Sequence, residues 1–333
     1  MPRQPRLDAP GTLHHVMGRG IERTKVFQDD TDREDFVGRL AELCRRRSLV
    51  VYAWALMPNH FHLLVRTGQA PLPDSMRKLL TGYVVNFNRR HRRYGHLFQN
   101  RYKSIVVEDD PYLLEVTRYI HLNPVRGGLV PGVRALRRYP WTGHAAILGT
   151  LARDWQDTAT ILADFGQPRR RAVARYEAFV QEGLAQGRRP DLVGGGLIRS
   201  LGGWAQVLSL RRKGVTVPAD ARILGSGEFT EQMLADAARR ELETLRLSRK
   251  MVDLATVAQR ITAGQEVTDG ELRSGSRRKA VVRARRVFCQ VAVRGLGYSG
   301  ATVARFLGVT TSSVNRLAVS EELPESKKFL NVR

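Results

Sequence analysis

The sequence predicts an α+β protein: an antiparallel sheet flanked by helices, then a mostly α-helical carboxyl-terminal part. Three observations predict it. Between residues 11 and 130, short extended runs alternate with amphipathic helical stretches. Two of the extended runs meet at Pro58-Asn59, a two-residue turn of the kind that joins hairpin strands. From residue 236 onward the apolar spacing is helical almost throughout.

The elements follow in order. "LHHVMGRG" from Leu13 reads as a strand, and "DDTDREDFVGRLAELCRRR" as a helix with acids in its first turn and Arg45, Arg46 and Arg47 at its end, both favourable to the helix dipole. "LVVYAWALM" and "HFHLLVRT" pair as a hairpin about the Pro58-Asn59 turn. A long helix follows in "DSMRKLLTGYVVNFNRRHRR", then the extended "HLFQNRYKSIVVE". The next helix, "DPYLLEVTRYIHL", takes Asp110 as N-cap and Pro111 as its first residue, and Pro124 is expected to end it. Composition divides the chain into a first domain over 1–150, a connecting module over 151–235 with the Gly-rich "RRPDLVGGGLIRSLGG", and a helical domain over 236–333. Within the module, "ILGSGEFTEQML" reads as a loop leading into a helix.

Charge narrows the function classes. The 333 residues carry 55 Lys+Arg against 32 Asp+Glu, a formal net charge of +23, and the pI is near 11.0. The expected partner is a polyanion. No apolar run approaches the ~18 residues of a membrane span, so nucleic acid is favoured over a membrane. The amino terminus has no apolar signal core, which gives a cytoplasmic, nucleoid-associated address as the expectation. Cys44 and Cys289 lie far apart and outside any CxxC, so neither a disulfide framework nor a zinc ribbon is expected.

The chemistry-bearing residues sit in the first domain. His60 and His62 are two apart on a strand and share a face, opposite Phe61 and Leu63. That spacing suits a chelating pair and equally a pair of hydrogen-bonded sheet histidines. Tyr119 and Asn123 are four apart on a helix, so a phenol and a carboxamide point together. Asn123 can offer a neutral oxygen, and His60, His62 and Asn123 would make a three-ligand site with open positions. A divalent ion there can polarise a phosphate, with Tyr119 as attacking group. Tyr112 is the rival nucleophile; Glu115 is either a helper to Tyr119 or a solvated carboxylate. His14 and His15 fall on opposite strand faces and are not expected as ligands, and His121 is read as a packing or surface residue.

These residues carry a resemblance. "MPNHFH", "GHLFQNRYKS" at 95–104 and "RYIHLNPVRGGLV" at 118–130 resemble, in order, the motifs of the HUH single-tyrosine transposases, and more narrowly the REP-associated tyrosine transposases. The resemblance covers roughly residues 10–130. It implies the HUH endonuclease fold, a ferredoxin- or RRM-like antiparallel sheet with flanking helices. It also implies Mg²⁺ or Mn²⁺ on His60, His62 and Asn123, and Tyr119 as nucleophile. The implied reaction is cleavage of single-stranded DNA near hairpin repeats through a 5′-phosphotyrosine, by a monomer or homodimer. Arg19, Arg101, Lys103 and Arg126 are expected to contact phosphate through charge. The open alternatives are a hydrolytic metal nuclease and a catalytically silent DNA-binding regulator.

The carboxyl-terminal "SGATVARFLGVTTSSVNRLAV" has the pattern of a helix-turn-helix, with Val303, Phe306 and Leu307 inward, Gly308 at the turn and a second helix from about Thr310 whose Val314 and Leu317 face the core. Thr311, Ser312, Asn315 and Arg316 are then exposed and able to meet duplex DNA. The basic run from Arg273 to Arg286 is expected to add salt-sensitive affinity. From "RRKAVVRARRVF" to "SSVNRL" the stretch resembles the DNA-binding domain of the replication initiator DnaA.

Overall fold

The computed structural model describes residues 7–187, 189, 192, 220–250, 253–263 and 266–326. The chain divides into two compact units, Met1–Ala238 and Arg239–Arg333. Much of the Gly-rich stretch of the connecting module, residues 193–203, lies outside the described residues.

The first unit is built on a five-stranded sheet in the order β2-β3-β1-β4-β5. Strands β1 (Leu13–Arg19), β2 (Leu49–Met57), β3 (His60–Thr67) and β4 (Lys103–Val107) pair antiparallel. The β2–β3 hairpin closes at Pro58-Asn59, with Met57 opposite His60. The short β5 (Ile223–Leu224) runs parallel to β4. This corrects two expectations: the sheet is mixed at one edge, and "ILGSGEF" opens with a strand rather than a loop. Two residues of strand leave no period-2 signal to read. Of the extended "HLFQNRYKSIVVE", only Lys103–Val107 is strand; Phe98 makes an isolated bridge to Gly20.

Alternation along the strands loads both faces. Val16, Trp54, Leu56, Phe61, Leu63 and Val65 pack on one side against α1 (Asp30–Arg45) and α2 (Leu72–Arg90), through Phe36, Leu40, Met76, Leu79 and Tyr83. Helix α1 starts at Asp29, whose side chain accepts from the Asp32 N–H. Gly18 pairs with Phe61, and a Cβ there would come within 2.4 Å of the Phe61 ring, so only glycine fits. On the other side Leu13, Ala53, Ala55, Leu64 and Ile105 meet α3 (Asp109–Arg126) and α7 (Arg169–Glu182) through Val116, Ile120, Tyr176 and Val180.

The outer edge of β2 is covered rather than bare, as Leu56 N donates to Trp141 O, Gly143 N to Trp54 O, and Asp157 N to Val51 O, each at 2.9 Å. Between α3 and α7 the chain makes the short helices α4 (Val133–Leu136), α5 (His144–Leu148) and α6 (Ala159–Ala163). Helix α8 (Gly227–Lys250) follows β5.

Helix α3 begins as expected, with Asp110 extended (φ −87°, ψ 120°) ahead of Pro111. Its end departs from expectation, because the helix runs through Pro124 to Arg126 and stops at Gly127. Proline removes the N–H that would reach the Ile120 carbonyl. The Asn123 side chain answers that loss, its Nδ2 donating to Tyr119 O at 2.9 Å and to Ile120 O at 3.4 Å.

The second unit is helical: α9 (Leu254–Thr262), α10 (Asp269–Arg273), α11 (Lys279–Cys289) with a π-helical turn over Gln290–Gly295, α12 (Gly300–Leu307) and α13 (Thr311–Val319). Its core joins Val257, Ile261, Val281, Phe288, Val303, Leu307 and Val314. Gly308 ends α12 in the left-handed region (φ +68°), and Thr310 caps α13 by accepting from the Ser313 N–H. Among the described residues, no helix is long and apolar enough to cross a membrane.

Candidate active site

Where α3 crosses the sheet, a cavity of about 790 Å³ opens, and its lining gathers His60, His62, Tyr119 and Asn123 with Arg19, Arg101, Lys103 and Arg126. Every sequence-predicted site residue of the first unit therefore borders one space. Gln99, Asn100 and Arg189 line it as well. The Tyr119 ring stands edge-on to the His62 ring, with centroids 5.8 Å apart, and His60 and His62 are 5.2 Å apart by the same measure.

Each imidazole is held by its Nδ1. His60 Nδ1 lies 2.7 Å from Asn59 Oδ1, and Asn59 Nδ2 donates in turn to the Arg23 carbonyl at 3.3 Å. That second bond turns the amide oxygen toward His60, so the imidazole donates from Nδ1 and keeps its lone pair on Nε2. His62 Nδ1 lies 2.9 Å from Nε2 of His15, a neighbour from β1. Neither Nε2 takes a hydrogen bond among the described residues.

Electrostatics keeps these rings neutral. Burial, helped by Arg19, lowers His60 to about 4. Burial is also the main cause that puts His62 well below the ordinary histidine value, with His15, His60 and Arg19 adding to it. A neutral imidazole is the form in which histidine binds a metal. Asn123 completes the donor set, because its committed Nδ2 leaves Oδ1 as the free end of the amide. Two imidazole nitrogens and a neutral oxygen fit a divalent cation with positions to spare.

The phenol has a cationic neighbour. The Arg126 guanidinium lies 5.7 Å from the Tyr119 ring centroid. Its Nη2 donates to the Gly183 carbonyl at 2.9 Å, while Nε and Nη1 are buried with no partner among the described residues. Burial pulls the Arg126 pKa down, Tyr119 opposes the shift, and Arg118 and Arg189 reinforce it. Two idle donors beside a phenol suit an anion brought into the cavity.

Several neighbours fall away from the chemistry. Glu115 is engaged by Arg118 at 2.6 Å and Arg189 at 3.3 Å, an ion-pair cluster rather than a base for Tyr119 or a bare solvated carboxylate. His121 is fully buried, its Nδ1 2.7 Å from the Tyr176 hydroxyl, which also meets His144 at 2.9 Å. Tyr112 packs against the α3-side core and does not line the cavity.

Among the described residues, a cluster of metal-type side chains stands elsewhere: Asp29, Asp32 and His91 bring ligand atoms within 4.8 Å of one another. Arg90 already pairs with both carboxylates, holding Asp29 down to about 2, and His91 Nε2 sits 2.9 Å from Asp32 Oδ1. A guanidinium thus supplies the positive charge that a cation would bring.

Sequence reasoning weighed His15 only as a ligand and set it aside, and it gave no role to Asn59 beyond the turn, to Arg189 or to the Leu192 carbonyl, which accepts from His15 Nδ1 at 3.1 Å. Strand alternation separates His15 from His14, but the β1–β3 register is what sets His15 on the face of Met17 and Arg19 and diagonal to His62. A turn asparagine next to His60 was a readable signal for Asn59. Nothing local marks residues 189 and 192, which follow α7.

In the second unit, Thr311, Ser312, Asn315 and Arg316 are exposed on α13, while Val314 and Ala318 are buried. The basic run is more committed than its composition suggests. Arg285 is buried and donates to the carbonyls of Leu272 (2.7 Å), Ser276 (2.6 Å) and Glu271 (3.0 Å). Arg273, Arg278 and Arg283 pair with Asp269, Glu271 and Glu325, and Arg286 donates to the Glu321 carbonyl.

Residues 11–123 match the family model described as "Transposase IS200 like". Over 127 residues the chain is 27% identical to a putative REP-associated tyrosine transposase of Haemophilus influenzae, spanning 34% of this chain and 70% of that one. A solved structure of a REP-associated tyrosine transposase bound to a REP hairpin aligns at TM-score 0.37 and 17% identity, over 48% of this chain and 96% of the other. The sequence matches make the first part of the chain a distant homologue of the REP-associated tyrosine transposases.

Proposed function

We propose that this protein is a metal-dependent single-stranded DNA endonuclease and strand transferase, acting at hairpin repeats through a covalent 5′-phosphotyrosine at Tyr119. The observation that carries the reading is the shared cavity, where the phenol, two neutral imidazoles and a carboxamide meet five cationic side chains. The distant homology supports the same class.

His60 and His62 would hold Mg²⁺ or Mn²⁺ through Nε2, and Asn123 through Oδ1. A divalent ion bound there withdraws charge from a phosphate and so eases displacement at phosphorus. The chain's own residues do the rest. Arg19, Arg101 and Lys103 draw the backbone in, and Arg126 offers its idle donors to the phosphate that reaches Tyr119. The Tyr119 oxygen bonds to phosphorus, the bond to the 3′ oxygen breaks, and the phenol's proton ends on the departing 3′-OH. The ester formed retains the energy needed to rejoin strands. In the second unit, α12 and α13 form the helix-turn-helix, and Thr311, Ser312, Asn315 and Arg316 meet duplex DNA.

The test is a denaturing gel of the purified protein with Mg²⁺ and labelled single-stranded hairpin DNA. A protein–DNA adduct is expected, lost in Tyr119→Phe, in His60→Ala and on chelation. Cleavage without an adduct would instead favour a hydrolytic nuclease, and binding without cleavage a regulator.

A further inference from the structure

The three imidazoles His15, His60 and His62 share one sheet face, yet only two border the cavity. His15 is fully buried between two partners, the Leu192 carbonyl on Nδ1 at 3.1 Å and His62 Nδ1 on Nε2 at 2.9 Å. We propose that His15 is a positioning residue: with Leu192 behind it, it fixes His62 in the tautomer that aims an Nε2 lone pair into the cavity. The proposal rests on the metal-ligand role given to His62 above.

The argument is one of proton counting. A carbonyl oxygen can only accept, so His15 Nδ1 carries the proton of that bond. A neutral imidazole has a single N–H, so His15 Nε2 must accept, and the donor is His62 Nδ1–H. His62 then has no proton on Nε2. The opposite polarity needs a doubly protonated His15, a buried cation that the like charge of Lys103 disfavours. His60 reaches the same tautomer by another device, the Asn59 amide anchored on the Arg23 carbonyl. The relay from Leu192 also ties the site to a residue well beyond 11–123, the span shared with the transposase family.

Removal of an outer partner of this kind costs about 10–100-fold in metal affinity. Five chains decide the matter: the natural protein, His15→Leu, His15→Gln, whose amide can still accept from His62 and donate to Leu192, and His60→Ala and His62→Ala as controls on the metal site. Mn²⁺ alone, without DNA, is titrated calorimetrically into each. The expected result is a 10–100-fold weaker Kd for His15→Leu and a value within a few-fold of the natural one for His15→Gln. In ¹⁵N-histidine spectra of the natural chain, His62 should appear as the Nδ1–H tautomer, a readout that survives even where His15→Leu fails to fold. An Nε2–H His62, or undiminished Mn²⁺ affinity in folded His15→Leu while His62→Ala loses binding, overturns the role of His15 and leaves the metal site standing. Undiminished Mn²⁺ binding in both His60→Ala and His62→Ala overturns the metal site itself, and this proposal with it.

Discussion

Asn123 carries two burdens at the residue scale, and they are separable. Its Nδ2 donates to the Tyr119 carbonyl and to the Ile120 carbonyl that Pro124 leaves short of a donor, while its Oδ1 is the end available to the cavity. Asn123→Ala should therefore lose about 1 kcal/mol of stability and weaken Mn²⁺ binding as well. Adding Pro124→Ala restores a backbone N–H to the Ile120 carbonyl, so the double variant should regain most of the stability and none of the metal affinity. Urea unfolding and calorimetry on the same samples read the two effects. Joint recovery of both quantities would show that the amide acts on the metal only through the helix end.

At the scale of elements, the α12–α13 corner depends on two local devices rather than on its core alone. Gly308 takes φ +68°, and a Cβ there would sit 3.4 Å from the Arg273 carbonyl, so Gly308→Ala should cost about 1 kcal/mol. Thr310→Ala removes the cap on the Ser313 N–H and should cost about as much. Chemical denaturation followed by far-UV circular dichroism checks both, and a cost near zero would mean that packing fixes the corner unaided. This corner was legible because Gly308, Thr310 and the apolar spacing agree on it. The hairpin and the His60–His62 face were legible for the same reason: strand alternation and turn chemistry act over a few residues. The parallel β5, the continuation of α3 through Pro124 and the Leu192 contact were not. Each is decided by partners distant in sequence or by a side chain compensating a backbone loss, and local periodicity records neither. Composition misled in one place, since the Arg273–Arg286 run spends much of its charge inside the unit, with Arg285 binding carbonyls.

Over the whole molecule, titratable groups are unevenly divided. The chain has eight histidines, all of them before residue 145, and the second unit has none. In the first unit, burial lowers His15, His60 and His144 each to about 4, from the ordinary histidine value of about 6.5. Burial also puts His62 and His121 well below the ordinary histidine value. A histidine whose folded pKa is depressed binds its proton more readily in the unfolded chain. Its stabilising contribution is thus complete above about 6.5 and is lost as pH falls toward about 4, at up to about 1.4 kcal/mol per pH unit for each group. Three such groups add to a loss comparable with the whole stability of a typical domain. The first unit should therefore unfold in mild acid, with chelator present, while the second keeps its helices until its carboxylates protonate. Tryptophan provides the separate signal, because all four tryptophans precede residue 205. Between pH 6.5 and 4 the tryptophan emission should shift to the exposed form while a substantial part of the helical circular dichroism persists. His144→Gln should move the emission midpoint to lower pH if its fold is retained. A single transition common to both signals would mean that the two units unfold together and that the histidines do not set the acid limit of the first alone.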